Sequence, residues 1–250
     1  IKVNPVESEK SSIRESQVAI LCGGRGTRLK PTTDVIPKAL VQLNGRPIID
    51  HVLDFYRLKG LYRFILCVGY KGDLLRKHYT DVSPDIQIAF SDMGEDASML
   101  QRIWALRDLM AERIFISYCD TFIDLDLEKL LSIHTEQGAA ATIVTAEIRN
   151  PFGLVDYDAE GWATSFVEKP IFNYYIGNFI LERSSLEYLT QDMIQGPDGQ
   201  GLVDFFKKLI AHRLLAVFKH EGLQITFNTE SERRKAEEDL GRFYTYLEDA

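Results

Sequence analysis

Between Leu21 and Lys38 the chain reads LCGGRGTRLKPTTDVIPK, with three glycines, two arginines and two lysines directly after the apolar run VAILC. Gly23, Gly24 and Gly26 carry no Cβ. Their N–H groups are unobstructed and free to adopt positive φ, the conformation of an anion-binding nest. Arg25, Arg28 and Lys38 add positive charge. A guanidinium fork holds two oxygens and an ammonium acts as a point charge, so the loop suits a triphosphate. With its flanks, the candidate nucleotide-binding set is Leu21, Gly23, Gly24, Arg25, Gly26 and Thr27. Two commoner glycine loops do not fit. A Walker loop needs Gly-Lys-Ser/Thr where Gly26 is followed by Thr27 and Arg28, and a dinucleotide fingerprint needs glycine where Leu29 stands.

A triphosphate calls for Mg²⁺, held by one or two carboxylates together with phosphate oxygens. Asp120, in SYCDTFIDLDL, is the leading candidate because it follows the apolar run IFISY. Asp124 and Asp126 lie nearby, but Asp126 opens the amphipathic run Leu127, Leu130, Leu131 and reads as a helix cap. Glu168, Lys169 and Pro170 follow WATSFV and, taken alone, read as a surface turn. The five histidines, at 51, 78, 134, 212 and 220, show no ligand spacing, so no zinc site is expected.

These groups need a scaffold. The chain has 250 residues, 45% of them hydrophobic, enough for a substantial core. A net charge of −8 argues against a general nucleic-acid binder, and no apolar stretch is long enough to cross a bilayer. Cys22, Cys67 and Cys119 are few and lack any CxxC spacing, the usage of reduced thiols in a cytoplasmic protein. Residues 1–16 are polar without periodicity and read as a flexible lead-in.

Strand-like runs at 18–22, 63–70, 86–90 and 114–118 alternate with helix-period segments at 47–60, 72–79 and 97–110, which predicts an α/β fold with a mostly parallel sheet. Ligands of such sheets sit beyond the carboxyl ends of the strands, so the loop after Cys22 and Asp120 should face one crevice. Further on, a helix to about Gly138 precedes AATIVTAEI, then strands GLVDY, WATSFVE and YIGNFILE without helices between the last three. Helices near 184–190, 201–212 and 230–247 follow, with strands LLAVFK and LQITFN between the last pair.

The longer string GGRGTRLKPTTDVIPKALVQLNGRPII resembles the signature of the sugar-phosphate nucleotidyltransferases, and the likeness extends over about residues 17–240. It implies a Rossmann-like fold with a mixed, mostly parallel sheet flanked by helices. It implies a nucleotide-binding half at 17–138, an acceptor-binding half at 139–228 and a C-terminal helix at 229–250. The implied reaction joins a nucleoside monophosphate to a sugar 1-phosphate with release of pyrophosphate and uses Mg²⁺. In that scheme Arg28 holds the leaving pyrophosphate, Lys38 the α-phosphate region and Asp120 the metal. FGLVDYDAEGWATSFVEKP and YYIGNFIL match the acceptor motifs, so Glu168 meets a sugar hydroxyl, Lys169 the acceptor phosphate, and Gly177 lets the acceptor approach. RFILCVGYKGDLLRKHY and SDMGEDAS resemble the glucose-1-phosphate cytidylyltransferases and favour CTP. DTFIDLDLEKLLSIH is closer to the heptose and mannose 1-phosphate guanylyltransferases, which leaves GTP open, as it leaves a non-sugar phosphate or phosphonate acceptor. Three departures stand out: Cys119 replaces the glycine before the metal aspartate, Ser98–Gln101 replace a glycine pair, and Thr226 and Asn228 are the candidates where a second metal aspartate is expected, Asn228 offering only a neutral oxygen. A fold-related glycosyltransferase and a non-catalytic nucleotide-binding regulator are the readings from other classes. No nucleic acid or membrane is expected as a partner, and a homo-oligomer is allowed.

Overall fold

The structure is a computed structural model describing residues 13–80, 85–227 and 229–249, without the side chains beyond 241. In chain order its strands are β1 (Gln17–Leu21), β2 (Gln42–Leu43), β3 (Arg46–Pro47), β4 (Arg63–Val68), β5 (Gln87–Asp92), β6 (Arg113–Tyr118) and β7 (Thr121–Ile123), then β8 (Ala141–Arg149), β9 (Leu154–Tyr157), β10 (Ala163–Val167), β11 (Ile171–Glu182), β12 (Leu215–His220) and β13 (Gln224–Thr226). Seven of them form one sheet in the order β12-β8-β11-β6-β1-β4-β5. Only β11 is reversed: it pairs antiparallel with both β6 and β8, while every other pair is parallel. This is the mixed, mostly parallel sheet expected.

The continuous apolar runs follow from burial on both faces. Val18, Ile20, Phe64, Leu66 and Phe115 face one core with the helices Ile48–Leu58 and Leu127–Glu136. Ala19, Ile65, Cys67, Ile114 and Ile116 face the other, with the helices Met99–Ala105 and Gln200–Ala211. Helix limits follow local chemistry. Pro47 precedes Ile48–Leu58, and Gly60 at φ 87° follows it. Asp126 caps Leu127–Glu136 by accepting from Lys129 N, as its position predicts.

Several elements differ from expectation. The helix read at 97–110 runs only over Met99–Ala105, because Ser98 and Gln101 form a reciprocal capping box that fixes its start. A 3₁₀ turn, Leu106–Asp108, follows it. β11 is longer than YIGNFILE, spanning twelve residues with an irregularity between Tyr175 and Phe179. A second pairing, β7 with β13, joins segments about a hundred residues apart, with Thr121 opposite Thr226. The lead-in is described only from residue 13, where Ile13 is buried against the core.

Two buried polar clusters bound this architecture. At the end of β11, Glu182 Oε1 accepts from Arg113 Nε at 2.5 Å and from His134 Nε2 at 2.8 Å. Burial alone would raise the Glu182 pKa, but the His134 and Arg113 hydrogen bonds outweigh it and hold the carboxyl below its ordinary value. Near β13, the Asp124 side chain is only 3% exposed and its Oδ1 lies 3.1 Å from His220 Nε2, outside hydrogen-bond alignment, while His220 donates to Leu223 O. Gly222 covers this carboxylate so closely that a Cβ there would overlap it.

Two outcomes follow. Glu182→Gln should lower stability by about 1–3 kcal/mol at neutral pH, discounted for partial exposure. Since a depressed carboxylate stabilises above its unfolded pKa, the difference from the parent, measured by urea unfolding, should shrink as pH falls below about 4. Gly222→Ala should cost about 1–3 kcal/mol by forcing Asp124 aside, measured in the same way.

Candidate active site

The β1–β6 register places Leu21 beside Tyr118, so the loops leaving these two strands face each other at their carboxyl ends. Between them lies a cleft of about 180 Å³, lined by Gly23, Gly24 and Gly26 on one side and Tyr118, Cys119 and Asp120 on the other. Gly26 adopts φ 61°, and a Cβ there would lie 2.9 Å from Lys38 Cβ, so glycine is required on both counts. Thr33 Oγ1 donates to Gly26 O at 2.9 Å and fixes the turn.

Lys38 and Asp120 meet at the charged end of the cleft. Lys38 Nζ lies 2.5 Å from Asp120 Oδ2, with side chains 13% and 20% exposed, and also donates to Phe227 O at 3.3 Å. The β7–β13 ladder makes this possible. Asp120 immediately precedes β7 and Phe227 immediately follows β13, so pairing Thr121 with Thr226 brings both lysine partners to one point. A pair this sheltered is costly to leave half-made.

At the other end of the cleft sits Arg102, a residue that motif reading missed. It is 5% exposed and donates to the carbonyls of Val68, Gly23 and Gly94, the last at 2.9 Å. No carboxylate pairs with it among the described residues, so a positive charge underlies the cleft floor and favours an anion above it. A Cβ at Gly23 or Gly69 would overlap the guanidinium. Gly23 is therefore glycine for a reason besides a phosphate nest: it admits Arg102. The signal was present in the sequence, because Arg102 interrupts the buried face Leu100, Ile103, Leu106 of its helix.

Asp198 is the second residue missed. It lines the cleft from the loop before Gln200–Ala211, and its Oδ1 accepts from Met99 N at 2.9 Å. Together with the Ser98 box, it closes the segment where a glycine pair was expected. Tyr118 OH approaches Met99 Sδ at 2.8 Å across the same end.

The structure brings together Leu21, Gly23, Gly24, Gly26, Lys38 and Asp120 in the cleft lining, and leaves other sequence candidates outside it. Arg25 crosses the mouth to Glu95 Oε1 and Asp96 Oδ1, both at 3.1 Å, rather than standing open to a phosphate. Thr27 and Arg28 begin a 3₁₀ turn on the exposed side of the loop. Glu168 and Lys169 are exposed and lie 3.6 Å from each other. Gly177, at φ 80°, sits where a Cβ would lie 2.7 Å from the Tyr118 ring, so its lack of a side chain makes room for that ring. Asn228 falls outside the described residues. Burial, then the Asp120 charge, pushes the Cys119 thiol up to about 12, which makes it a poor nucleophile at neutral pH. The described residues hold no cluster of three or more metal-ligating side chains, while Asp120 offers the hard carboxylate oxygen that a magnesium shared with phosphates needs.

The nucleotidyl transferase family model matches residues 17–248. Among curated proteins, the chain is 30% identical over 237 residues to the probable glucose-1-phosphate cytidylyltransferase of Bacillus subtilis, covering 85% of this chain and 91% of that one. It is 33% identical over 159 residues to the catalytic subunit beta of mannose-1-phosphate guanylyltransferase from Xenopus tropicalis, covering 60% of this chain and 44% of that one. Among solved structures, HddC from Yersinia pseudotuberculosis superposes with a TM-score of 0.69 at 23% identity, covering 90% of this chain and 99% of that one, which shows the shared fold. With the model spanning nearly its whole length, the chain belongs to the nucleotidyl transferase family.

Proposed function

We propose that the protein transfers the nucleoside monophosphate part of a triphosphate, CTP first among the candidates, onto a sugar 1-phosphate and releases pyrophosphate. The Lys38–Asp120 pair opposite the glycine loop carries this reading, because it sets a cation for phosphate and a carboxylate for metal side by side. CTP is favoured by the GYKG and SDMGED segments and by the name of the Bacillus subtilis relative. GTP is the second reading, supported by the guanylyltransferase match.

In this scheme an acceptor phosphate oxygen attacks the α-phosphorus in line, forming one P–O bond as the bond to the β-phosphate oxygen breaks. No protein nucleophile takes part. Lys38 steadies the α-phosphate, and Arg28 reaches the departing pyrophosphate from the loop's outer side. Lys169 holds the acceptor phosphate, Glu168 a sugar hydroxyl, and Gly177, by admitting the Tyr118 ring, shapes the acceptor side. Arg102 supplies fixed positive potential beneath the nucleotide. Mg²⁺, held by Asp120 and the phosphates, would neutralise charge on the phosphoryl oxygens. No described helix is long and apolar enough to cross a membrane. The three buried, free cysteines support placement in a reducing cytoplasm.

The direct test supplies each of the four triphosphates with Mg²⁺ and a panel of sugar 1-phosphates and measures pyrophosphate. Release with CTP and a hexose 1-phosphate is expected, and no release with any combination would overturn the reading. Lys38→Ala should lower turnover roughly 10²- to 10³-fold while circular dichroism stays that of the parent. Near-parental turnover would remove Lys38 from the chemistry.

A further inference from the structure

The end of the cleft away from Lys38 and Asp120 has a polar wall of its own. Asp198 lines it beside Ala97, Met99 and Tyr118, and is exposed at the cleft rim. Its Oδ1 accepts from Met99 N at 2.9 Å, and its Oδ2 has no partner among the described residues. The loop that carries it is seated firmly. Gln200 N donates to Pro197 O at 3.1 Å, and Gly201 approaches the neighbouring helices so closely that a Cβ there would overlap Met193 O and press on Leu100 Cδ2. Asp198 therefore presents a carboxylate oxygen to the cleft from a fixed position, and an ionised carboxylate can only accept.

Tyr118 stands beside it. Its ring fills the space that Gly177 leaves and packs edge-on against Tyr175, with centroids 6.0 Å apart. Its OH reaches Met99 Sδ at 2.8 Å, a weak acceptor. Burial above all pushes this hydroxyl up to about 12, with Asp120 and Asp198 adding to the shift, so it keeps its proton. A hydroxyl both donates and accepts by rotating, whereas the carboxylate has no such choice. Arg102, the cation at this end, is turned to the carbonyls of Val68, Gly23 and Gly94.

We infer that Asp198 selects the nucleobase, accepting a hydrogen bond from an exocyclic amine and turning away a base that carries a carbonyl oxygen in its place. The inference rests on the nucleotidyl transfer proposed above: with the phosphates at Lys38 and Asp120, the base falls at the Asp198 end of the cleft. Cytosine offers an amine at C4 and an acceptor at N3, while uracil offers a carbonyl oxygen at C4 and an N–H at N3. The Tyr118 hydroxyl suits either N3 by turning. Asp198 suits only the amine, because the uracil oxygen sets lone pairs against a negative charge. A site built around one hydrogen bond rejects the isostere that cannot make it. Guanine also carries an amine, so the same carboxylate admits GTP and disfavours UTP and dTTP. Asp198 thus supplies a physical reason for the base preference, independent of any sequence motif.

Calorimetric titration of the full chain with CTP and with UTP in Mg²⁺ tests the inference, run beside pyrophosphate release with a hexose 1-phosphate. The parent should bind CTP at least roughly tenfold more tightly than UTP. Asp198→Asn keeps an oxygen for Met99 N and can turn its amide N–H₂ to the base, so CTP should weaken, UTP should tighten, and their ratio should fall roughly tenfold or more. The acceptor KM and the circular dichroism should stay parental. Tyr118→Phe should weaken both triphosphates alike and leave the ratio unchanged. A parent that binds UTP as tightly as CTP overturns the inference, as does an Asp198→Asn protein that keeps the parental ratio. An Asp198→Asn protein altered only in its acceptor KM assigns the carboxylate to the acceptor and overturns it too. In each of these cases pyrophosphate release leaves the proposed reaction standing, whereas a parent that binds no triphosphate and releases no pyrophosphate overturns both.

Discussion

The cleft depends on one ion pair. Lys38 and Asp120 come from distant segments, are both mostly sheltered, and stand 2.5 Å apart. Neither charge is well solvated, so each needs the other as a partner. The pair also defines what can replace it. A phosphate drawn to Lys38 leaves the Asp120 carboxylate without its partner, and a divalent cation bound alongside the phosphate restores neutrality. Under the proposed function, electrostatics would tie nucleotide and metal to one event, a coupling that needs no large movement of the sheet.

Backbone architecture serves that pair. β1 and β6 run side by side and bring the glycine loop to Asp120, while β7 and β13 bring Phe227 O to Lys38. The Asp124 N–H donates to Leu223 O at 3.3 Å in the turn leading into β13, with its sheltered carboxylate covered by Gly222 and approached by His220. At the far end, Arg102 ties the loops after β1, β4 and β5 through three carbonyls. Several glycines thus have a structural reason to be there. Gly23 and Gly69 leave space for a guanidinium, and Gly177 leaves space for an aromatic ring.

What could be read in advance was what is local. Runs such as VAILC and IFISY are apolar throughout because both of their faces are buried, and Asp126 caps its helix for reasons contained within four residues. The crevice between the first loop and Asp120 followed from a general rule about parallel sheets. What escaped was long-range. No spacing reveals that Arg102 reaches Gly23, that Asp198 accepts from Met99, or that β7 and β13 pair. Arg25 stands among glycines as a candidate phosphate ligand, and spacing gave no sign that Glu95 and Asp96, seventy residues on, pair with it. β9 and β10 were legible as two strands, but the exposure of their aromatics Tyr157 and Phe166 was not, since alternation within a strand does not report what lies against it.

The central claim is that phosphate and metal replace each other's partner in the Lys38–Asp120 pair. Calorimetric titration with CTP, or with whichever triphosphate the pyrophosphate assay selects, tests it in Mg²⁺ and in chelator. The parent should bind at least about tenfold more weakly without Mg²⁺, and Asp120→Asn should bind equally well in both conditions. Equal affinity of the parent with and without Mg²⁺ would contradict the account.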